Sequence, residues 1–261
     1  MESKLSFAIS NIIGIKIDSK IFKNNLKMKQ LCKNKKLYSF NPNYRIVAKI
    51  KGHWSIEDIS KEQGMFGATE EFARRHGGKI TQTFLDAIPN TFRDDLKKAG
   101  LYTNIDVRIH RLYPGMFPAI PGWHCDGVYR ETYFSQPDLD RVFVSHHLST
   151  TISSEKEGVS NTRFLNIPIE IDIDGCNQEV GVWQRVHEYI NTIPKENLSC
   201  WDSKDGQLVQ FDNHSLHKST PCVRHGWRMF LRVSGLHKPN LTEGQLSKQE
   251  QVYVISEEKG W

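Results

Sequence analysis

His124 and Asp126 stand two residues apart in the segment Trp123 to Gly127. On an extended strand, residues i and i+2 project to the same face, so this imidazole and carboxylate can meet one ion while Cys125 points the other way, as a buried thiol. With 11 histidines and 30 acidic residues in 261 positions, roughly one such His-x-acid pair arises by chance, so the pair needs a third ligand. His217 supplies a candidate far downstream, where an apolar strand (Gln207 to Phe211) and a turn lead into an extended segment ending at Pro221. His214 is its nearby rival and lacks the Ser-x-Pro context that follows His217. Two imidazoles and one carboxylate fill one face of an iron(II) octahedron and leave three positions open, which suits a chelating co-substrate and O₂. Zinc hydrolysis is the competing metal chemistry, and the sequence has no H-E-x-x-H motif to support it.

A dianionic co-substrate such as 2-oxoglutarate needs a cation for its far carboxylate, and a guanidinium fork is the fitting bidentate partner. Arg228 opens the strand-like run Trp227 to Ser234, on which Arg228, Phe230, Arg232 and Ser234 share one face. Two arginines aimed inward are costly without anions. The pair therefore implies either one dianion gripped twice or two anionic groups, with Arg232 holding the second.

These residues, His-x-Asp, a distant His and an arginine about ten residues further on, resemble the 2-oxoglutarate-dependent iron oxygenase superfamily over residues 104 to 235. His217 to Pro221 looks like the distal-ligand segment of the prolyl hydroxylase branch. Gly158 to Thr162 is similar to the glycine-threonine turn that contacts the co-substrate in taurine dioxygenase-like members; phytanoyl-CoA hydroxylases form a third related branch. The resemblance implies iron ligation by His124, Asp126 and His217, co-substrate binding by Arg228 and Thr162, and substrate binding by Arg232. The cofactors implied are Fe(II), 2-oxoglutarate and O₂, with succinate and CO₂ released as a small polar or anionic metabolite is hydroxylated. Asp126 is the position where related halogenases carry Gly or Ala. A cupin-type metal protein that does not use 2-oxoglutarate is the alternative, and it leaves Arg228 without a task. A hydroxylase of protein or nucleic acid is another.

The elements that must position these groups change character along the chain. Residues 1–100 read as mostly helical: Ser55 to Asp58 has capping-box character, a helix runs towards Arg75 and stops at Gly77-Gly78, and shorter helices cover Ile80 to Ala87 and Thr91 to Lys98. From Asn104 the runs are strand-like: Ile105 to Tyr113, Arg141 to Thr150, Arg163 to Ile173, Gln207 to Phe211 and Trp227 to Val233, with one helix over Glu179 to Asn191. Many short strands with turn signals predict a mainly β fold with added helices. Its core would be a double-stranded β-helix (jelly roll, cupin-like) over 101–240, with N-terminal helices on its outside and a tail at 241–261. The segment Gly127 to Asp140, with Tyr129 and Arg130, is long for a β-connection and is the expected substrate lid. His146 and His147 must face opposite ways on their strand.

The length fits a single domain, and 38% hydrophobic with 25% charged residues is a globular balance. Thirty-five basic against 30 acidic side chains give a formal charge of +5, concentrated in the lysines between Lys20 and Lys36. This reads as a solvated face, not a nucleic-acid module. Five cysteines, an odd number with no C-x-x-C pair, fit a reducing cytoplasm. The apolar run Leu5 to Ile15 falls well short of the roughly 18 residues a spanning helix needs, so no membrane segment is expected.

Overall fold

The structure is a computed structural model, which describes residues 37–126, 146–156, 158–172, 181–236, 242–247 and 250–254. The lysine-rich segment before residue 37 and the expected lid, Tyr129 and Arg130 included, lie outside the described residues. Chain contacts divide the molecule into residues 1–38 with 172–174, and residues 39–171 with 175–261. Only residues 37, 38 and 172 of the first unit are described, and the second unit carries both the core and the candidate site.

The strands are β1 (Leu37–Phe40), β2 (Tyr44–Lys49), β3 (Met65–Ala68), β4 (Tyr102–Leu112), β5 (His147–Ser153), β6 (Thr162–Leu165), β7 (Ile169–Asp172), β8 (Cys200–Asp202), β9 (Gln207–Phe211), β10 (His217–Ser219), β11 (Gly226–Leu236) and β12 (Gln245–Leu246). The helices are α1 (Ile56–Ser60), α2 (Glu70–His76), α3 (Lys79–Ala87), α4 (Asn90–Lys98) and α5 (Val182–Asn191). A seven-stranded sheet runs in the order β12-β3-β4-β11-β5-β9-β2, and a three-stranded sheet in the order β10-β6-β8. Every pairing in both is antiparallel. This mainly β arrangement with a few helices is compatible with a β-sandwich.

The N-terminal third is less helical than its composition suggests. Ser55 and Asp58 do form a capping box, but α1 ends at Ser60, and the chain then enters β3. Gly67 takes φ +64 inside β3, a conformation that L side chains rarely adopt, and Thr69 caps a new helix. The run expected over Arg163 to Ile173 also splits, into β6 and β7, on either side of Pro168, which has no N–H to give a ladder.

The central strand β11 explains how the sheet separates core from site. Met229, Leu231 and Val233 share one hydrophobic cluster with Ile105 and Val107 of β4, Phe84 and Leu85 of α3, and Phe92 and Leu96 of α4. Burying each such side chain is worth about 1.5–3 kcal/mol, so this face holds the helices against the sheet. The alternate residues Arg228, Phe230 and Arg232 lie on the opposite face. There Phe211 and Val209 of β9 pack with Phe164 of the small sheet, placing β6 and β10 over this end of the polar face.

Candidate metal centre

His124 and His217 are brought together by backbone pairing. The His124 N–H donates to the His217 carbonyl at 3.0 Å, and the His217 N–H returns the bond at 2.9 Å. Such a reciprocal pair sets two side chains on the same face of a ladder, and the imidazole centroids lie 4.7 Å apart. Asp126, one step along the extended chain, comes to 3.4 Å from His217 Nε2. One ligand atom from each of His124, Asp126 and His217 lies within 4.8 Å of the others, a grouping that could hold a metal ion.

Both imidazoles are fixed in the metal-binding tautomer. His124 Nδ1–H donates to the Gly122 carbonyl at 2.8 Å and His217 Nδ1–H to the Ser215 carbonyl at 3.0 Å. Each Nε2 thereby carries the lone pair. Burial, then the neighbouring His217, pushes the His124 pKa down to about 4, which keeps it neutral. Burial alone would raise the Asp126 carboxyl; the Arg232 charge and then His217 outweigh it and hold that carboxyl well below its usual range. A neutral His124 imidazole and an ionised Asp126 carboxylate are protonation states that suit a divalent ion. The site residues therefore fit an iron(II) ion.

The three ligands line a cavity of about 230 Å³ together with Arg228, Phe230, Thr162 and His110. Arg228 is 4% exposed. Its Nε donates to the Ser160 carbonyl at 2.9 Å, and its Nη2 reaches Thr151 Oγ1 only at 3.5 Å. Among the described residues no carboxylate lies within ion-pair distance of it. Burial pushes its pKa down to about 10, so the guanidinium stays charged at neutral pH. The Gly158–Thr162 turn, where Gly158 takes φ +82, contributes twice: Ser160 orients Arg228, and Thr162 lines the cavity.

Arg232, expected from the sequence to face an anionic group, has its guanidinium held between two carboxylates of the protein. Nη1 donates to Asp126 Oδ2, and Nη2 donates to Asp106 Oδ2 at 2.6 Å. The two carboxylates outweigh burial and hold the Arg232 pKa above its ordinary value. Its charge is thus already matched, and one of its partners is a metal ligand. Asp106 sits directly across from Arg232 in the β4–β11 register, and it also accepts the Gly67 N–H at 3.0 Å.

Asp106, Arg108 and His110 were missed by sequence reasoning. They occupy one face of β4, opposite Arg232, Phe230 and Arg228 respectively. The signal was present: Asp, Arg and His alternate with Ile105, Val107 and Ile109 at strand period. His147 is also close. It donates to or accepts from Ser234 Oγ at 2.9 Å, stacks on Phe211, and is 1% exposed. His214 lies in the turn between β9 and β10 and does not line the cavity. Tyr113 is exposed and stacked on His225, away from the site.

No family model matches the sequence, and no curated protein matches it. Among solved structures, one titled "Non-heme monooxygenase, ThoJ-Ni complex" aligns with 10% identity and a TM-score of 0.38, over 75% of this chain and 74% of that one. Among the described residues, no helix is long and apolar enough to cross a membrane.

Proposed function

We propose that this chain is an iron(II)- and 2-oxoglutarate-dependent dioxygenase that hydroxylates a small molecule and releases succinate and CO₂. The observation that carries this reading is Arg228. A buried guanidinium with no carboxylate at ion-pair distance among the described residues, only the more distant charge of Asp205, lines the same cavity as two imidazoles and a carboxylate and is costly unless a ligand anion completes it. A dicarboxylate that chelates the metal at one end and meets Arg228 at the other satisfies both features at once. The double-stranded β-helix is the topology that this reading expects of the two antiparallel sheets.

His124, Asp126 and His217 would hold the iron, which when bound supplies the redox chemistry for O₂ activation coupled to decarboxylation. The chain's own residues do the rest. Gly122 and Ser215 carbonyls keep the imidazoles from rotating. Arg228, steadied by Ser160, orients the far carboxylate of the co-substrate, and Thr162 lies on the cavity wall within the same turn. Phe211 packs edge-on to His217 at 5.1 Å between centroids and keeps water from that side of the site.

The test is anaerobic titration of the purified protein with iron(II) and 2-oxoglutarate. The metal-to-ligand charge-transfer band of the chelate should appear in the wild type and require about 30- to 150-fold more 2-oxoglutarate in Arg228→Ala. No band in the wild type, or an unchanged requirement in the variant, would favour a cupin-type metal protein that does not use this co-substrate.

A further inference from the structure

The cations that line the metal cavity, Arg108, Lys218, Arg228 and Arg232, outnumber its one carboxylate, Asp126. Given the proposed function, on which this inference rests, an iron(II) ion cancels the 2-oxoglutarate dianion. Arg228 and Arg232 together cancel Asp106 and Asp126. Lys218 also lines the cavity, with its ammonium 5.0 Å from the Trp123 ring centre. Lys218 and Arg108 remain, against the charge of Asp205 that reaches Arg228, and of the two Arg108 is the guanidinium. It lines the metal cavity, its guanidinium lies 6.0 Å from the ring centre of Phe66, and among the described residues no carboxylate comes within ion-pair distance of it.

The position of Arg108 is as informative as its charge. Residues 108 and 253 line both the metal cavity and a second space of about 650 Å³, whose other walls include Phe66, Gln245, Gln251 and the acid Glu250, which accepts from Ser247 Oγ at 2.7 Å. Arg108 therefore stands at the boundary between an inner chamber and an outer groove. Behind it, on the same face of β4, His110 is 2% exposed, and its Nδ1 has no hydrogen-bond partner. Burial, then the charges of Arg228 and Arg108, push the His110 pKa down to about 3, so this neighbour adds no cation of its own at neutral pH. The inner chamber, at about 230 Å³, is small for a co-substrate and a second molecule together, and the outer groove extends it.

We propose that Arg108 is the anchor for an anionic group, a carboxylate or phosphate, on the primary substrate, which lies in the outer groove and reaches past Tyr253 towards the metal. A guanidinium fork suits either anion. The groove's remaining polar walls suit a small polar body.

The probe is inorganic phosphate, added to full-length protein loaded with Mn(II) in place of iron and saturated with 2-oxoglutarate. Phosphate held at Arg108 lies close to the paramagnetic ion, so its ³¹P relaxation should quicken on adding the ternary complex. Arg108→Met should weaken that effect about tenfold or more. Arg108→Lys should restore part of it, and neither variant should change 2-oxoglutarate affinity. Phosphate relaxation that is absent in the wild type, or indifferent to Arg108→Met, overturns the anchor and leaves the co-substrate reading intact. A loss of 2-oxoglutarate affinity in Arg108→Met, matching Arg228→Met, also overturns it, because Arg108 would then belong to the co-substrate. Failure of wild-type protein to bind 2-oxoglutarate overturns the proposed function, and the assignment of Arg108 to a second anion goes with it.

Discussion

Arg232 and Asp106 face each other across β11 and β4, and the guanidinium of Arg232 spans from Asp106 at 2.6 Å to the metal-facing carboxylate of Asp126. Asp126 follows His124, which is paired with His217 through the backbone. The arginine gives that carboxylate lateral support. Metal ligands are commonly held in this way by a second layer of hydrogen bonds, whose loss costs about 10- to 100-fold in metal affinity.

Arg232→Met is therefore expected to lower Mn(II) or Fe(II) affinity by about 10- to 100-fold, although Arg232 is no ligand. Calorimetric titration with Mn(II) reads this directly. Asp106→Asn should move affinity in the same direction by less, because the Asp126 contact survives. Metal affinity equal to wild type in Arg232→Met would show that Asp126 needs no brace.

Direct removal of a ligand should be harsher. His124→Ala, Asp126→Ala and His217→Ala are each expected to abolish stoichiometric metal binding and 2-oxoglutarate turnover, since two remaining ligands define no facial site. His214→Ala, in the turn outside the cavity, should bind metal as the wild type does. Equilibrium dialysis against iron(II) under nitrogen, followed by succinate release in air, checks both statements.

Arg228 should show opposed effects on binding and stability. A buried cation with no acid at ion-pair distance costs desolvation that its bonds to Ser160 and Thr151 and the charge of Asp205 do not fully offset. Arg228→Met is expected to leave the ligand-free protein as stable as wild type, or more stable by on the order of 1 kcal/mol, while losing most 2-oxoglutarate affinity. Thermal unfolding with and without 2-oxoglutarate separates the two: the ligand should raise Tm in the wild type only. Marked destabilisation of the ligand-free variant would mean that Arg228 is a structural cation.

Three histidines, His110, His124 and His147, give a pH dependence whose sign follows from their lowered pKa values. Burial is the main cause that takes His110 to about 3 and His124 and His147 to about 4. The unfolded chain takes up these protons near its ordinary value of about 6.5, so stability from the three is fully present above that pH and is lost as pH falls below it. With a chelator present, the protein should lose roughly 1 kcal/mol per histidine between pH 7 and pH 5.5. Urea unfolding across that range measures the slope, and His110→Gln should remove about a third of it. A flat profile would show that these rings take up protons in the folded protein as readily as in the unfolded chain.

Much of the site was legible because strand geometry is local. Period-two alternation is enough to put His124 with Asp126 on one face, Cys125 on the other, and Arg228, Phe230 and Arg232 together. The Gln207 to Phe211 strand, the capping box at Ser55 and the helices after Gly78 follow from equally short patterns. The breaks at Ser60 and Pro168 were harder: propensity favoured continuing, whereas the sheet required β3, β6 and β7 to start where they do.

The sequence by itself thus determined the chemistry available: two imidazoles, a carboxylate and two arginines, each with its neighbours' faces fixed by backbone geometry over a few residues. Only the tertiary structure decided what those groups do to one another. That His124 pairs with His217, that Arg232 meets Asp106, and that Arg228 lies beside His110 depends on which strands become neighbours and in what register. Register is set by the burial of whole faces across residues far apart in the chain, so a one-residue slip would invert every facing. No local pattern on β11 encodes Asp106. Its carboxylate, supplied by β4, makes Arg232 a brace for the metal-facing Asp126.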